Sequence, residues 1–312
     1  MNGISEGAGN VRRWEDVRRG YRPEHGEVTP RRRPVYPISA ERELARVMLA
    51  YTELAIKVSQ PYIDQIMRQY EDKDYHEDSA RDFITVIRTK VMEALGGIQK
   101  KKRADSIAQK GIEKAGRQAQ RHSVNDWNDQ VRDALGAEIK KEYYQESMED
   151  MMQNWIRENV SKIRSVPSEY LQEIEAIIRW GYETRQPKVN VYRRLEKNIG
   201  LTKSKARMIA RDQLGTLNCQ MTRYEHESAG VGKYKWITKR DGRVRDCHRA
   251  LHGTIHKWDE PSPMWYMTKS RGIVYTGRYC HPGEDYCCRC CASPVFDLDT
   301  AKRYLADKFR PL

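Results

Sequence analysis

The sequence predicts a mainly α fold: an elongated helical N-terminal and middle region followed by a small α+β C-terminal domain. Three observations carry that prediction. Apolar residues recur at three- and four-residue steps between about 40 and 200. Alternation with period two is not sustained anywhere in that stretch. Short aromatic and β-branched runs flanked by turn residues gather after 200. The organisation expected is a basic, extended arm over 1–39, a helical region over 40–200 and a mixed domain over 201–312. With 312 residues, 38% of them hydrophobic and 32% charged, and a mean hydropathy of −0.88, the chain has the length of about two polar domains. No apolar run approaches the ~20 residues of a membrane helix. The first twenty residues lack the apolar core of a secretory signal. Neither a membrane partner nor export is therefore expected.

The arm holds Arg12, Arg13, Arg18, Arg19 and the run Arg31, Arg32 and Arg33, with Gly and Pro between them and no periodicity. Such a segment buries too little apolar surface to fold alone, although it can order against a partner. The first helix reads through Leu44, Val47, Met48, Tyr51, Leu54, Val58, Ile63, Ile66 and Tyr70, and Pro61 is expected to kink or restart it. A second pattern runs through Phe83, Val86, Ile87, Val91 and Leu95 to the stop at Gly96-Gly97. A third begins near Pro167 and continues through Tyr170, Leu171, Ile174, Ile178 and Tyr182. Thr202 is expected to cap a long helix through Ala206, Ala210, Leu214, Leu217 and Met221 that ends at Ala229-Gly230. Tyr234–Thr238 reads as a strand, and Gly272–Tyr275 and Ser293–Phe296 as shorter ones. An irregular loop rich in Trp, Pro and Met precedes Cys280, and Thr300–Phe309 reads as a closing helix.

Charge and cysteine are both unevenly placed. The net charge is +13, of which residues 1–35 hold +3 and residues 201–312 hold +9, leaving the middle nearly neutral. Residues 99–122 add eight Lys or Arg with almost no large apolar side chain. Clustered cations gain affinity for polyphosphate by releasing counterions. The expected contacts to nucleic acid are therefore Arg12, Arg13, Arg31, Arg32, Arg33, Lys100, Lys101, Lys102, Arg103, Lys110, Lys114, Arg117 and Arg121, beside the plainer reading of a solvated basic face. All seven cysteines lie between Cys219 and Cys291. An odd number without a secretory signal points to metal or free thiols rather than to a disulfide framework.

Two clusters bracket the C-terminal domain: Asp241–Gly253, with His248 and His252, and His281–Cys290. Together with Ala210-Arg211…Asn218, they carry a resemblance. The helix motif A-R-x-x-x-x-x-x-N is matched at Ala210, Arg211 and Asn218. An aromatic strand ending in D-x-R-V-R is matched by Tyr234–Trp236 and by Asp241, Arg243 and Arg245. H-x-x-L-x-G is matched by His248, Leu251 and Gly253. The closing P-G-x-D-x-x-C-R-C is matched by Pro282, Gly283, Asp285, Cys288, Arg289 and Cys290. In this order the motifs make residues 205–296 resemble the phage Mu F-like minor head proteins, also called head morphogenesis proteins.

The resemblance implies a non-catalytic minor head protein of a tailed phage. Such a protein would associate with the portal protein, the major capsid protein and packaged double-stranded DNA, inside the capsid near the portal vertex after assembly in the host cytoplasm. It would act in head morphogenesis and DNA delivery, with the 40–200 region as the docking part. Rival readings are a zinc-dependent DNA-binding protein and a nuclease or toxin domain, although no paired carboxylates at metal-holding spacing support the latter. Where some members carry C-x-x-C, this chain has Arg245 and His248, of which only His248 binds metal. A structural zinc needs four ligands. His248, Cys288 and Cys290 give three, and Cys247, Cys280 or His281 would give the fourth. The alternative is a metal-free clasp through Asp241, Arg243, Arg289 and buried thiols. The continuous histidine stripe 248, 252, 256 is not expected to form, because Gly253 interrupts it.

Overall fold

In the computed structural model, the residues described are 26–70, 85, 89, 104–139, 146–301 and 309–311. The apolar period becomes the long helices α1 (Ile38–Gln69), α2 (Ala104–Leu135), α3 (Glu146–Glu183) and α4 (Lys188–Ser228). The fold is mainly α with short antiparallel strands towards the C-terminus, as the sequence predicts. The described residues form two compact units, each gathered from separate stretches: 38–118 with 149–213, and the described parts of 1–37, 119–148 and 214–312. Boundaries between units thus fall inside α2, α3 and α4. The expected helix through Phe83–Leu95 lies outside the described residues, except that Thr85 and Thr89 are helical. Residues Arg12, Arg13 and Lys100–Arg103 also lie outside them.

The first unit is helical. Leu44, Met48, Ala55, Ile63, Ile66 and Met67 of α1 and Met152, Trp155, Ile156, Ile163, Tyr170, Ile174 and Ile178 of α3 are buried at helical spacing. Among the described residues, the first half of α2, which carries the basic stretch, buries Ile112 and otherwise only small residues: Ala108, Ala115, Gly116 and Ala119. Small residues there permit close packing. A Cβ on Gly111 would fall 2.5 Å from Val47, and one on Gly116 would fall 2.5 Å from Met152. Pro61 does not restart α1, and Pro167 lies within α3 rather than at its start. The buried residues on both sides of each proline hold the helix through the missing N–H. Thr202 is no cap either. It sits inside α4, its hydroxyl donating to the Asn198 carbonyl four residues back at 2.8 Å. The helix starts at Lys188 instead, directly after Pro187.

The second unit carries the sheet. Its strands β1 (Glu27–Val28), β3 (Lys233–Ile237), β4 (Ile255–Lys257) and β7 (Cys291–Asp297) lie in the order β1-β7-β3-β4, every pair antiparallel. Strand β3 alternates, turning Tyr234 and Trp236 inward, whereas β7 is buried at six successive positions. The reason is that β7 is covered on both faces. On one face Ala292 packs with Trp236 in the aromatic core, and on the other Ser293 Oγ donates to Gln130 of α2 at 3.4 Å. Helix α4 ends as read, with Gly230 at φ +72° and Val231 N–H returning to the His226 carbonyl at 2.8 Å.

Two expectations are overturned here. The stretch before Cys280 is no irregular loop: β5 (Ser262–Thr268) and β6 (Gly272–Cys280) pair as an antiparallel ribbon. Prolines read as breakers, yet Pro263 is tolerated in a two-stranded ribbon where each strand has a free edge. Thr300 and Ala301 are helical as expected and residues 302–308 lie outside the described ones, but Phe309 does not end a helix. It begins β8 (Phe309–Pro311), which pairs with β2 (Ala137–Ile139). Backbone from the arm is fastened in this unit too, since the N–H groups of Arg31 and Arg32 donate to Asp133 Oδ2 at 2.5 and 2.8 Å.

Below that strap Glu225 is fully buried, with Ser123 Oγ donating to it at 3.0 Å. Burial lifts its carboxyl to about 8, against the Ser123 hydrogen bond, and Asp126 nearby adds to the rise. The folded state therefore keeps a proton that the unfolded chain loses above about 4.5, so this group lowers stability as pH rises from about 4.5 through 8. Replacing Glu225→Gln should raise stability at pH 8 by on the order of 1–3 kcal/mol. The gain should shrink towards pH 5, as thermal melts across that range will show.

Candidate metal centre at a buried histidine–cysteine cluster

The two motif clusters meet inside the second unit. After β3 the chain turns at Arg240, φ +58°, and Asp241 Oδ1 accepts the Arg243 N–H at 3.1 Å. The short helix α5 (Asp246–Leu251) then presents His248 to the core, beside Trp236 at 5.6 Å between ring centroids. From the other side, the turn after β6 delivers Asp285, Cys288 and Cys290. Gly283 makes that turn at φ +103°, and Cys288 N–H closes it on the Asp285 carbonyl at 2.9 Å.

His248 sits between these groups, 3% exposed. Its Nε2 donates to Asp285 Oδ2 at 3.1 Å, while Nδ1 lies 3.6 Å from both Cys288 Sγ and Cys290 Sγ. The three candidate donor atoms fall within 4.8 Å of one another. Asp285 is 2% exposed and holds further partners. Arg245 Nη1 donates to Oδ2 at 3.2 Å, and Arg278 Nη1 donates to Oδ1 at 2.5 Å. Arg245 also reaches the Tyr286 carbonyl at 2.6 Å, which ties the two turns together directly.

Electrostatics follow from this geometry. Burial opposes charge on His248, yet the Asp285 hydrogen bond and the neighbouring thiols carry the ring up to about 11. Burial likewise opposes the Asp285 carboxylate, but His248 and Arg245 hold it below its usual range. The Cys290 hydrogen bond pulls the Cys288 thiol well down, with burial acting against it and His248 helping. The arrangement can act in two ways with one set of atoms. Without metal it is an imidazolium clasped between carboxylate and thiolate. With metal, Nδ1, Cys288 and Cys290 are ligands of the types zinc takes, and Nε2–H on Asp285 orients the ring as metal-binding histidines require.

The other residues singled out in the sequence are placed as follows. Cys247 is buried and its thiol hydrogen-bonds the His248 ring, yet it is outside the three-residue group. Cys280 is outside it too, and His281 turns Nδ1 to the Tyr234 hydroxyl at 2.9 Å. Arg243 uses its backbone N–H in the Asp241 turn, and the Arg289 guanidinium lies 6.0 Å over the Tyr36 ring. The clasp thus runs through Arg245 and Arg278 rather than through Arg243 and Arg289. Arg278 carried no sequence signal, since only the turn at Gly283 brings Asp285 back alongside β6. Gly253, φ +83°, donates its N–H to the Trp236 carbonyl at 2.8 Å. Pro282 is buried beside Gly283. Arg211 belongs to the helical unit, where it pairs with Glu41 at 3.3 Å. Of the basic residues, Arg32 pairs with Asp129, Lys114 with Glu43 and Arg117 bidentately with Glu149. Arg31, Arg33, Lys110 and Arg121 are exposed.

Gly215 was also missed. A Cβ there would lie 2.8 Å from the carbonyl oxygens of Cys288 and Gly283, both backbone atoms that cannot swing aside. Gly215→Ala should therefore destabilise the fold by about 1–3 kcal/mol in denaturant titration. Gly200→Ala, in the same helix with open space around it, should be neutral or stabilising.

Comparison with known proteins agrees with the motif reading. Residues 174–293 match the family model described as phage Mu protein F like protein. A Haemophilus influenzae protein described as uncharacterized is 29% identical over 139 residues, which is 45% of this chain, and the match spans only 28% of that relative's length. No solved structure matches. No helix among the described residues is long and apolar enough to cross a membrane. Residues 174–293, which hold α4, the β3 turn, α5 and the Gly283–Cys290 turn, are similar to phage Mu protein F like protein.

Proposed function

We propose that the chain is a non-catalytic minor head protein acting in the head morphogenesis of a tailed phage, associated with portal and capsid proteins and with packaged DNA. The observation that carries this reading is the family match, which spans the elements that build the buried cluster. The cluster's own state supports a structural role. His248 and Cys288 have the chemistry of a general base and a nucleophile, yet each is 3% exposed and both are committed to internal partners. The helical 40–200 region, with its nearly neutral sequence, is the part proposed for docking on portal and capsid. Arg31, Arg33, Lys110 and Arg121 are the exposed cations proposed to meet DNA phosphates. The setting would be the virion interior near the portal vertex. Co-expression of the full chain with the portal protein of the same phage should yield a complex that survives size-exclusion chromatography. Separate elution, together with normal heads when the coding sequence is deleted, would overturn the assignment.

We also propose that His248, Cys288 and Cys290 supply three of the four ligands of a structural zinc ion, with the fourth to come from Cys247, Cys280 or His281. Zinc would supply a fixed crosslink between α5 and the turn before β7, in a unit whose strands are short. Support comes from three soft or borderline ligands already converged and from the carboxylate behind the ring. Full-length protein purified without chelator should contain about one zinc per chain, and chelator should lower its melting temperature. A metal-free protein with an unchanged melt would leave the imidazolium clasp as the tie.

A further inference from the structure

The β5–β6 ribbon carries a surface that the cluster does not use. Its base is core: Ser262, Met264, Trp265 and Cys280 are buried. Beyond Trp265 the alternation expected of a strand lying on its own core is lost, and Tyr266 and Met267, which point to opposite faces, are 52% and 55% exposed. The register gives the same result, with Tyr266 opposite Val274 on one face and Met267 opposite Ile273 on the other. Tyr275 and Tyr279 on β6 are exposed as well. Half of the ten exposed large apolar side chains among the described residues lie between Tyr266 and Tyr286. The tip itself is Thr268-Lys269-Ser270-Arg271-Gly272, and no Asp or Glu occurs anywhere from Pro261 to Gly283.

A polar, cationic tip argues against insertion into a lipid layer. An acid-free ribbon with two tip cations and hydroxyl-bearing rings along its sides is complementary to a polyanion of defined width. We propose that the β5–β6 ribbon binds duplex DNA by placing its tip in the major groove. A two-stranded ribbon, strands about 4.8 Å apart with side chains on both faces, fits a groove about 12 Å wide. Lys269 and Arg271 enter first, and the hydroxyls of Tyr266, Tyr275 and Tyr279 are donors to the flanking phosphates. This site is separate from the exposed cations of the arm and α2, and it takes only its biological setting from the head-protein reading.

The test uses the full chain and a mixed-sequence duplex of roughly 20 base pairs, followed by fluorescence anisotropy at about 50 and 200 mM salt. Lys269→Glu combined with Arg271→Glu should weaken binding at least about tenfold and flatten the salt dependence, without shifting the melting temperature. Lys110→Glu combined with Arg121→Glu serves as the comparison away from the ribbon. Ribbon variants that bind like the parent, while the α2 variants bind worse, would overturn the ribbon and leave the DNA contact standing. No binding by the parent at the lower salt would overturn both. Tighter binding to a single strand than to the duplex, or loss of portal capture instead of DNA binding in the ribbon variant, would overturn the groove assignment.

Discussion

A carboxylate buried in an apolar core costs several kcal/mol unless its oxygens are fully matched by donors. Asp285 is such a group, and much of the C-terminal architecture answers to it. His248 from α5, Arg245 from the turn before α5 and Arg278 from β6 converge on its two oxygens. Each comes from a different element, so the carboxylate fixes where α5, the ribbon and the Gly283 turn sit within their unit. Removing Arg278 takes a donor from Oδ1, and removing His248 or Arg245 takes one of the donors from Oδ2. That convergence is why the two motif clusters belong together although about thirty residues separate them.

The same carboxylate sets the chemistry of the histidine–cysteine group. By holding Nε2–H it fixes the tautomer in which Nδ1 faces the thiols, and by its charge it keeps the ring a strong partner for them. An imidazolium keeps a proton on Nδ1 that faces the thiols, whereas a zinc ion would take the Nδ1 lone pair of a neutral ring; in both cases Nε2–H stays on Asp285. The site's burial, with Trp236 against the ring, excludes bulk solvent from either state.

Close approach is the second constraint. Gly215 of α4 lies against the carbonyls of Cys288 and Gly283, and Gly283 in turn allows the Gly215 carbonyl to come within 2.7 Å of where its own Cβ would be. Two glycines facing each other let the helix press onto the turn that carries Asp285. On the helical side, Gly111 and Gly116 do the same for α2, so that a helix poor in large apolar side chains still packs. The cations of that helix divide accordingly: Lys114 and Arg117 meet carboxylates of their own unit, and Lys110 and Arg121 face solvent.

What the sequence determined by itself is what local chemistry and ordered motifs encode. The helical period of α1, α3 and α4, the glycine stop at Gly230, the aromatic strand at Tyr234–Trp236 and the coupling of His248 to Cys288 and Cys290 were legible, because each rests on side-chain spacing or on one residue's backbone freedom. Tertiary structure decided the rest. Pro61 and Pro167 lie inside helices because buried neighbours on either side outweigh one missing hydrogen bond. Thr202 lies inside α4 because its hydroxyl finds the Asn198 carbonyl. The Trp- and Pro-rich stretch is a ribbon because two β-prone runs found each other across Gly272. The partners of Asp285 are Arg245 and Arg278, because which arginine reaches a buried charge depends on how the chain returns at Gly283, and no local pattern records that return.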